Sequence, residues 1–417
     1  MSVWYQSSVF ITPGAGDTVI PMTKGKFPKF LHTWTAINTS DQVIQAGAAS
    51  NHGFSAGVTL GDFATLQHRE ANATVNTQRA STAGFCVHIR NPVNDVILAQ
   101  GSAVMNEDDI TITWDTFTAG LIVHYEILGG DMDVAVQMVV ANSSPHVGVG
   151  FAPEMVLMST AGNLFPVAPG STTSIHSYQS YGVAFDKASG IDQWCLFTYM
   201  GDNDLDSLGS GLSGLNGDVA GQYDVDFASW QIQLSSFDAD GITWLGSNAD
   251  EVMMAFLSFR GAIRVQVDVI QKATGAAPFD QDFVFDFEPQ GVYLATACEV
   301  STAINVNRDS RHCHGALDGF TPGHSFLTTA DNGTGADSHS RSDEAMILQI
   351  SQNLNGLGVE ASAVGSLHYG PGSPFLRLRW DPNNALAAQI GVIMYEGEGR
   401  HNRPAVVSQA VNRAGAF

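Results

Sequence analysis

The chain writes one pattern three times, and that repetition limits what it can fold into more than any single motif does. The clearest mark is a strand ending in tryptophan. DDITITW, DADGITW and SPFLRLRW end at Trp114, Trp244 and Trp380, 130 and 136 residues apart. An aromatic and a proline lead into an apolar strand in GKFPKFLHTWTA, GFAPEMVLMSTA and FDFEPQGVYLATA, each closing on Thr-Ala. Proline has a fixed φ and no N–H, so Pro28, Pro153 and Pro289 belong at the first residue or the edge of a strand. Between these marks, in constant order, stand a ring followed by glycine (His52-Gly53, Tyr181-Gly182, His314-Gly315), a strand running into a polar loop, and an apolar strand. A closing strand, LIVHYEILGG, EVMMAFLSFRG or QIGVIMYEGEG, ends each copy.

Each copy therefore reads as roughly six or seven short strands joined by polar, Gly-rich turns. Alternation is good in Ile110-Thr-Ile-Thr-Trp114 and Phe375-Leu-Arg-Leu-Arg-Trp380, which predicts one buried and one wet face. Segments 155–160 and 345–356 admit a short-helix reading, but their place in the repeat favours strand. The expected fold is all-β, with three tandem antiparallel β-sandwich, jelly-roll-like domains and extended terminal arms. The expected boundaries are an arm over 1–22, repeats over 23–142, 143–271 and 272–399, and a tail over 400–417.

Charge narrows the partners. The 417 residues carry a net charge of −23 with only 18 Lys and Arg, so extended contact with nucleic acid is repelled. The start lacks the pattern of a classical export signal, and the longest apolar runs, such as EVMMAFLSF, are too short to span a bilayer, so a soluble protein without membrane insertion is expected. The four cysteines (Cys86, Cys195, Cys298, Cys313) form no C-x-x-C pair and suit a reducing cytoplasm; buried thiols are favoured over a Cys298–Cys313 disulfide. The Asn-x-Ser/Thr sequons at Asn38, Asn72, Asn142 and Asn332 read as chance.

Five features carry residue types with chemical potential. RHCHG (311–315) gathers metal-ligand types, but on a strand His312 and His314 share one face and Cys313 takes the other. A metal site there therefore needs His312 and His314 together with a further ligand such as His324. Glu107-Asp108-Asp109 and Asp238-Ala-Asp240 are paired carboxylates of the kind glycosidases use, yet both occupy the same turn in two repeats, where Asp serves turn geometry. The loop GDNDLD (201–206) offers oxygen ligands without EF-hand spacing. GSGLSGLNG has the glycines of a phosphate loop but lacks the strand-to-helix setting. The tryptophans read first as core packing rather than as sugar platforms. No catalytic residue and no cofactor are expected. The unequal loops, such as 202–222 and 367–374, are where the copies should differ in contacts. In so acidic a chain the tail residues Arg400, Arg403 and Arg413 are candidates for docking onto an acidic neighbour.

GFAPEMVL (150–157), DGITW (240–244) and HYEILGG (124–130) resemble elements of tandem-repeat structural proteins of tailed bacteriophages, over about residues 23–399. That resemblance implies a structural place in a virion, made in the host cytoplasm, with other capsid or tail proteins as partners and a homo-oligomeric state. It brings no catalytic residues. The expectation is thus a non-enzymatic component exposed on head or tail as a decoration, spike or tail-associated protein. The alternatives are a host-receptor or glycan-binding module and, further off, a surface polysaccharide depolymerase working through Asp109 or Asp240.

Overall fold

A computed structural model describes residues 3–396 apart from 23–25, 47, 58–60, 70–76, 92–95, 143, 162–175, 202–210, 224–227, 247–250, 261–263, 286, 299–309, 331–337, 352–358, 360 and 370–373. The described residues are all-β, with no helix among them. The first third of the chain contributes β1 (Trp4–Ile11), β2 (Thr18–Pro21), β3 (Pro28–Thr35), β4 (Gln45–Ala46), β5 (Ala48–Ser55), β6 (Asp62–Arg69), β7 (Thr77–Ala83), β8 (Val87–Arg90), β9 (Ile97–Met105), β10 (Asp109–Phe117) and β11 (Ile122–Gly129). The second contributes β12 (Met132–Val140), β13 (His146–Val147), β14 (Met155–Thr160), β15 (His176–Lys187), β16 (Gly190–Gly201), β17 (Gly211–Asn216), β18 (Ala220–Tyr223), β19 (Ala228–Asp238), β20 (Gly241–Leu245) and β21 (Glu251–Phe259). The last contributes β22 (Val265–Gln271), β23 (Phe279–Val284), β24 (Pro289–Thr296), β25 (Ser310–Leu317), β26 (His324–Ala330), β27 (Ser338–Asp343), β28 (Leu348–Ile350), β29 (Ala361–His368), β30 (Phe375–Trp380) and β31 (Gln389–Glu396).

These strands assort into three pairs of antiparallel sheets with one topology. The large sheets run β1-β11-β3-β5-β6-β7, β12-β21-β14-β15-β16-β17 and β22-β31-β24-β25-β26-β27-β4; the small ones run β2-β10-β9-β8, β13-β20-β19-β18 and β23-β30-β29-β28. Consecutive strands mostly remain neighbours within one sheet. The chain alternates between the two sheets at β1, β2 and β3 and again at β10 and β11, as a jelly roll does, whereas β3-β5-β6-β7 and β8-β9-β10 run as meanders within one sheet. Segments 155–160 and 348–350 are strands, as the repeat required. Each copy also begins earlier than expected: β1 and β2 lie in the stretch read as an arm, where Trp4 through Ile11 pair with β11 and Thr18 through Pro21 with β10, while β12 and β22 precede 143 and 272 and pair with β21 and β31.

Each sheet pair encloses an apolar layer of its own, centred on Trp114, Trp244 and Trp380. A fourth layer draws residues from all three thirds, among them Trp34, Phe54, Leu157, Tyr181, Trp194, Tyr293 and Tyr395. The first strands close this arrangement cyclically. β12 lies against β3 and β6, β22 against β15 and β16, and β1 against β24 and β25. The large sheets are therefore covered on both faces, by their small sheet outside and by the other two large sheets inside. Every residue of β11, β14 and β24 is buried, so the one-wet-face reading holds for small-sheet strands such as β30 and fails for these.

Candidate functional site

The ring-glycine landmark places its three copies at one point. His52, Tyr181 and His314 meet where the large sheets converge, with ring centroids 4.9 Å apart for His52 and Tyr181, 5.7 Å for Tyr181 and His314, and 4.6 Å for His52 and His314. The next residue points the other way, toward the small sheet. A methyl group at Gly53 would lie 1.7 Å from the Cys86 carbonyl oxygen, at Gly182 2.1 Å from that of Val219, and at Gly315 1.9 Å from that of Ile347. Only glycine lets the backbone leading into β8, β18 and β28 pass so close. The landmark is two-sided, a ring inward and bare backbone outward.

At the strand pair beside that point the first third of the chain carries an imidazole and a carboxyl where the others carry neither. His32 pairs with Glu126 across β3 and β11; the matching pairs are Leu157 with Ala255 and Tyr293 with Ile393. Tyr5 donates its hydroxyl to Glu126 Oε2 at 3.0 Å, Glu126 Oε1 lies 2.8 Å from His32 Nδ1, and His32 Nε2 lies 3.1 Å from His52 Nδ1. Burial pushes the Glu126 carboxyl up to about 8 and drives both imidazoles well below their ordinary value. At neutral pH the uncharged arrangement follows: Glu126 donates to His32, and His32 donates to His52. A parallel link joins the first and last thirds, His124 Nδ1 to His324 Nδ1 at 3.0 Å, with Trp34 stacked beside both rings. His314 Nδ1 sits 2.6 Å from the Tyr293 hydroxyl. All these side chains are buried, so protein faces them on every side. What the assembly can do chemically is hold protons in a buried chain of hydrogen bonds from Tyr5 through Glu126 and His32 to His52.

The expected metal ligands are all in this region but do not converge. His312 contacts Thr328 Oγ1 at 2.9 Å, His314 contacts Tyr293, and His324 contacts His124. Among the described residues no group of three His, Cys, Asp or Glu side chains is placed to hold a metal ion. His312 and His314 do turn to the junction while Cys313 enters the apolar layer of the third sheet pair. All four cysteines are buried and none is in a disulfide; Cys298 and Cys313 both bond Gln349. Asp109 and Asp240 serve turns: Asp109 accepts from the Asn106 side chain at 2.6 Å, and Asp240 from the Gly148 and Gly150 amides at 3.2 and 2.5 Å. Asn38, one of the sequons, is fully buried. Arg400, Arg403 and Arg413, residues 202–210 of the loop 202–222 with all but the first residue of its GDNDLD turn, and 370–373 of the insert lie outside the described residues, while 211–216 and 220–222, read as loop, belong to strands β17 and β18.

The composition did not flag Glu126, His32 or His124. A signal for them exists: ring or acid residues two apart inside strands, as in His32-x-Trp34, His124-x-Glu126 and His312-x-His314, put polar groups on one face of an otherwise apolar strand.

A second concavity lies at the surface between the second and third sheet pairs. This cleft of about 410 Å³ is bounded by Phe185, Asp186, Lys187 and Asp192 of the β15–β16 hairpin and by Arg264, Gln266, Asp268 and Phe287. At the matching junction between the third pair and the first, the longer turn after β25 fills the space. There Asp318 Oδ2 accepts from the Ser7 amide at 3.2 Å and Thr321 donates to the Ser7 carbonyl at 2.9 Å. No known family, curated protein or solved structure matches the chain.

Proposed function

We propose that the chain is a non-enzymatic structural protein of a phage-like virion, in which three tandem β-sandwich domains form one pseudo-threefold block mounted on the head or tail. The observation that carries this reading is the cyclic closure of β1, β12 and β22, each on the preceding unit. A chain that closes three like units on themselves supplies by itself what a homotrimer supplies to a symmetric lattice, and presents three similar outer sheets to neighbours. The dense axial packing supports a scaffolding role. Capsid or tail proteins are the partners, through contacts between proteins, and further copies of the chain would occupy symmetry-related places. The test is mass spectrometry of purified particles from the source culture: the chain is expected at a fixed ratio to the major capsid or tail proteins, and its absence from washed particles rejects the reading.

The cleft favours a second reading, recognition of a host surface glycan, because it combines aromatic edges with carboxylate and amide groups. Binding of the purified chain on a glycan array, abolished by Asp192→Ala together with Gln266→Ala, would establish it. An array with no signal removes it.

A further inference from the structure

Among the described residues, the junction of the three sheet pairs gathers six fully buried imidazoles, His32, His52, His124, His312, His314 and His324, on strands from two of the three thirds. Their bonds require neutrality. In the His124–His324 contact one Nδ1 donates and the other accepts, across the boundary between the first and third pairs. A proton added to the acceptor leaves two N–H groups facing each other at 3.0 Å. The same holds at His32–His52, where His32 already uses its other nitrogen on Glu126. An imidazolium at His314 faces His52, His312, Tyr181 and Tyr293.

Among the described residues nothing in acid balances such a charge. Tyr5, Tyr181, Tyr293 and Tyr395 surround the cluster as neutral phenols, and Glu126, the carboxyl that touches it, is itself held protonated by burial. Asp318 acts on Tyr5 as well. By contrast the layers inside the second and third sheet pairs are built of Val, Ile, Leu, Met, Trp and other apolar side chains. Half-buried His146 stacks at the margin of the second layer against Trp244 and Phe256. Within the first pair, away from the junction, buried His88 accepts from Arg90 Nε at 3.0 Å.

We propose that the junction is an acid-operated seam, at which the three sheet pairs part from one another on acidification while each keeps its own sheets. The inference follows from the junction's geometry and stands whether or not the chain belongs to a particle.

The direction is set by which state takes up protons. Burial holds His312 and His324 down to about 3, below the ordinary 6.5, so the closed junction is favoured fully above the ordinary value and loses that advantage as pH falls toward the buried one. For a group so shifted the closed form weakens roughly 300-fold by pH 4, and several such groups act together. The experiment is a pH titration of the full chain between about pH 7.5 and pH 3.5, followed by small-angle scattering and far-ultraviolet circular dichroism. The expected result is a rise in radius of gyration at constant strand signal, with the midpoint moved to lower pH in the double variant His124→Asn, His324→Asn. Expansion and loss of strand signal in a single step, or a variant that opens at the same pH as the parent, rejects the seam. Should the variant fail to fold, proton NMR of the parent decides. Resonances of the six junction imidazoles, assigned with single His→Asn variants, that stay neutral until the radius changes support the proposal, and junction resonances that titrate near pH 6.5 in the still compact chain reject it.

Discussion

Glu126 shows how one buried side chain makes its surroundings depend on pH in the direction opposite to the histidines. Its carboxyl is raised to about 8 by burial, with the Tyr5 hydroxyl bond pulling the other way. A carboxyl whose folded value lies above its unfolded one contributes stability that is complete below the unfolded value and has been lost once pH rises through the folded one. The substitution Glu126→Gln keeps both bonds, since the amide oxygen accepts from Tyr5 and the amide nitrogen donates to His32. The unfolded imidazoles are still partly protonated just above their ordinary value, and parent and variant share that contribution, so the carboxyl is read from the difference between the two. Between about pH 5.5 and pH 7.5 the parent is expected to lose roughly 1.4 kcal/mol relative to the variant for each rise of one in pH. Urea denaturation of both chains checks this, and a difference that does not change with pH would show that the carboxyl does not titrate there.

At the scale of the element, the link between β3 and β5 joins the two ends of the repeat. It leaves the first large sheet and adds β4 to the edge of the third, where Gln45 and Ala46 pair with Ser340 and His339. Asn38 donates to the Ser340 carbonyl at 3.1 Å, Gln42 N to Ser342 O at 2.8 Å, and Asp41 accepts from the Glu344 amide at 2.8 Å. This covers an edge strand that would otherwise offer unpaired backbone groups. Asn38→Ala leaves buried carbonyls without their donor and is expected to cost roughly 1–3 kcal/mol. Hydrogen exchange should rise first at β27, and unchanged protection there would mean the clasp carries no energy. None of this was legible in SDQVIQAG (40–47), because a short polar segment does not say which edge it will cover. The ring-glycine positions were legible as repeats, though their two-sided use was not, since it depends on where Cys86, Val219 and Ile347 cross them.

At the scale of the molecule, the shared layer makes the three sheet pairs one body, tied by contacts such as Trp194 Nε1 to Val392 O at 3.3 Å and Thr65 to Ser159 at 2.7 Å. Residues 1–130 and 131–417 expressed as two separate chains are expected to co-purify as a one-to-one complex at neutral pH, because the interface they share buries an apolar layer together with hydrogen-bonded polar rings. Gel filtration checks this, and two independent monomers would show that the junction depends on covalent linkage. The same layer explains why a sandwich reading from alternation stopped short: a sheet covered twice has no wet face to alternate with.

The sequence by itself determined the strand content, the threefold repeat and the marks that recur in it, because side-chain period, proline and glycine chemistry act over a few residues. It also placed His312 and His314 on one face and Cys313 on the other, which local geometry dictates. Only the tertiary structure decided that the three copies close on one another, that β1 and β2 belong to the first sheets rather than to an arm, and that Glu126 and the histidines form one buried cluster. Those outcomes rest on contacts between residues such as Tyr5, His52 and His314, far apart in the chain, whose meeting depends on how whole sheets pack rather than on any neighbour in sequence.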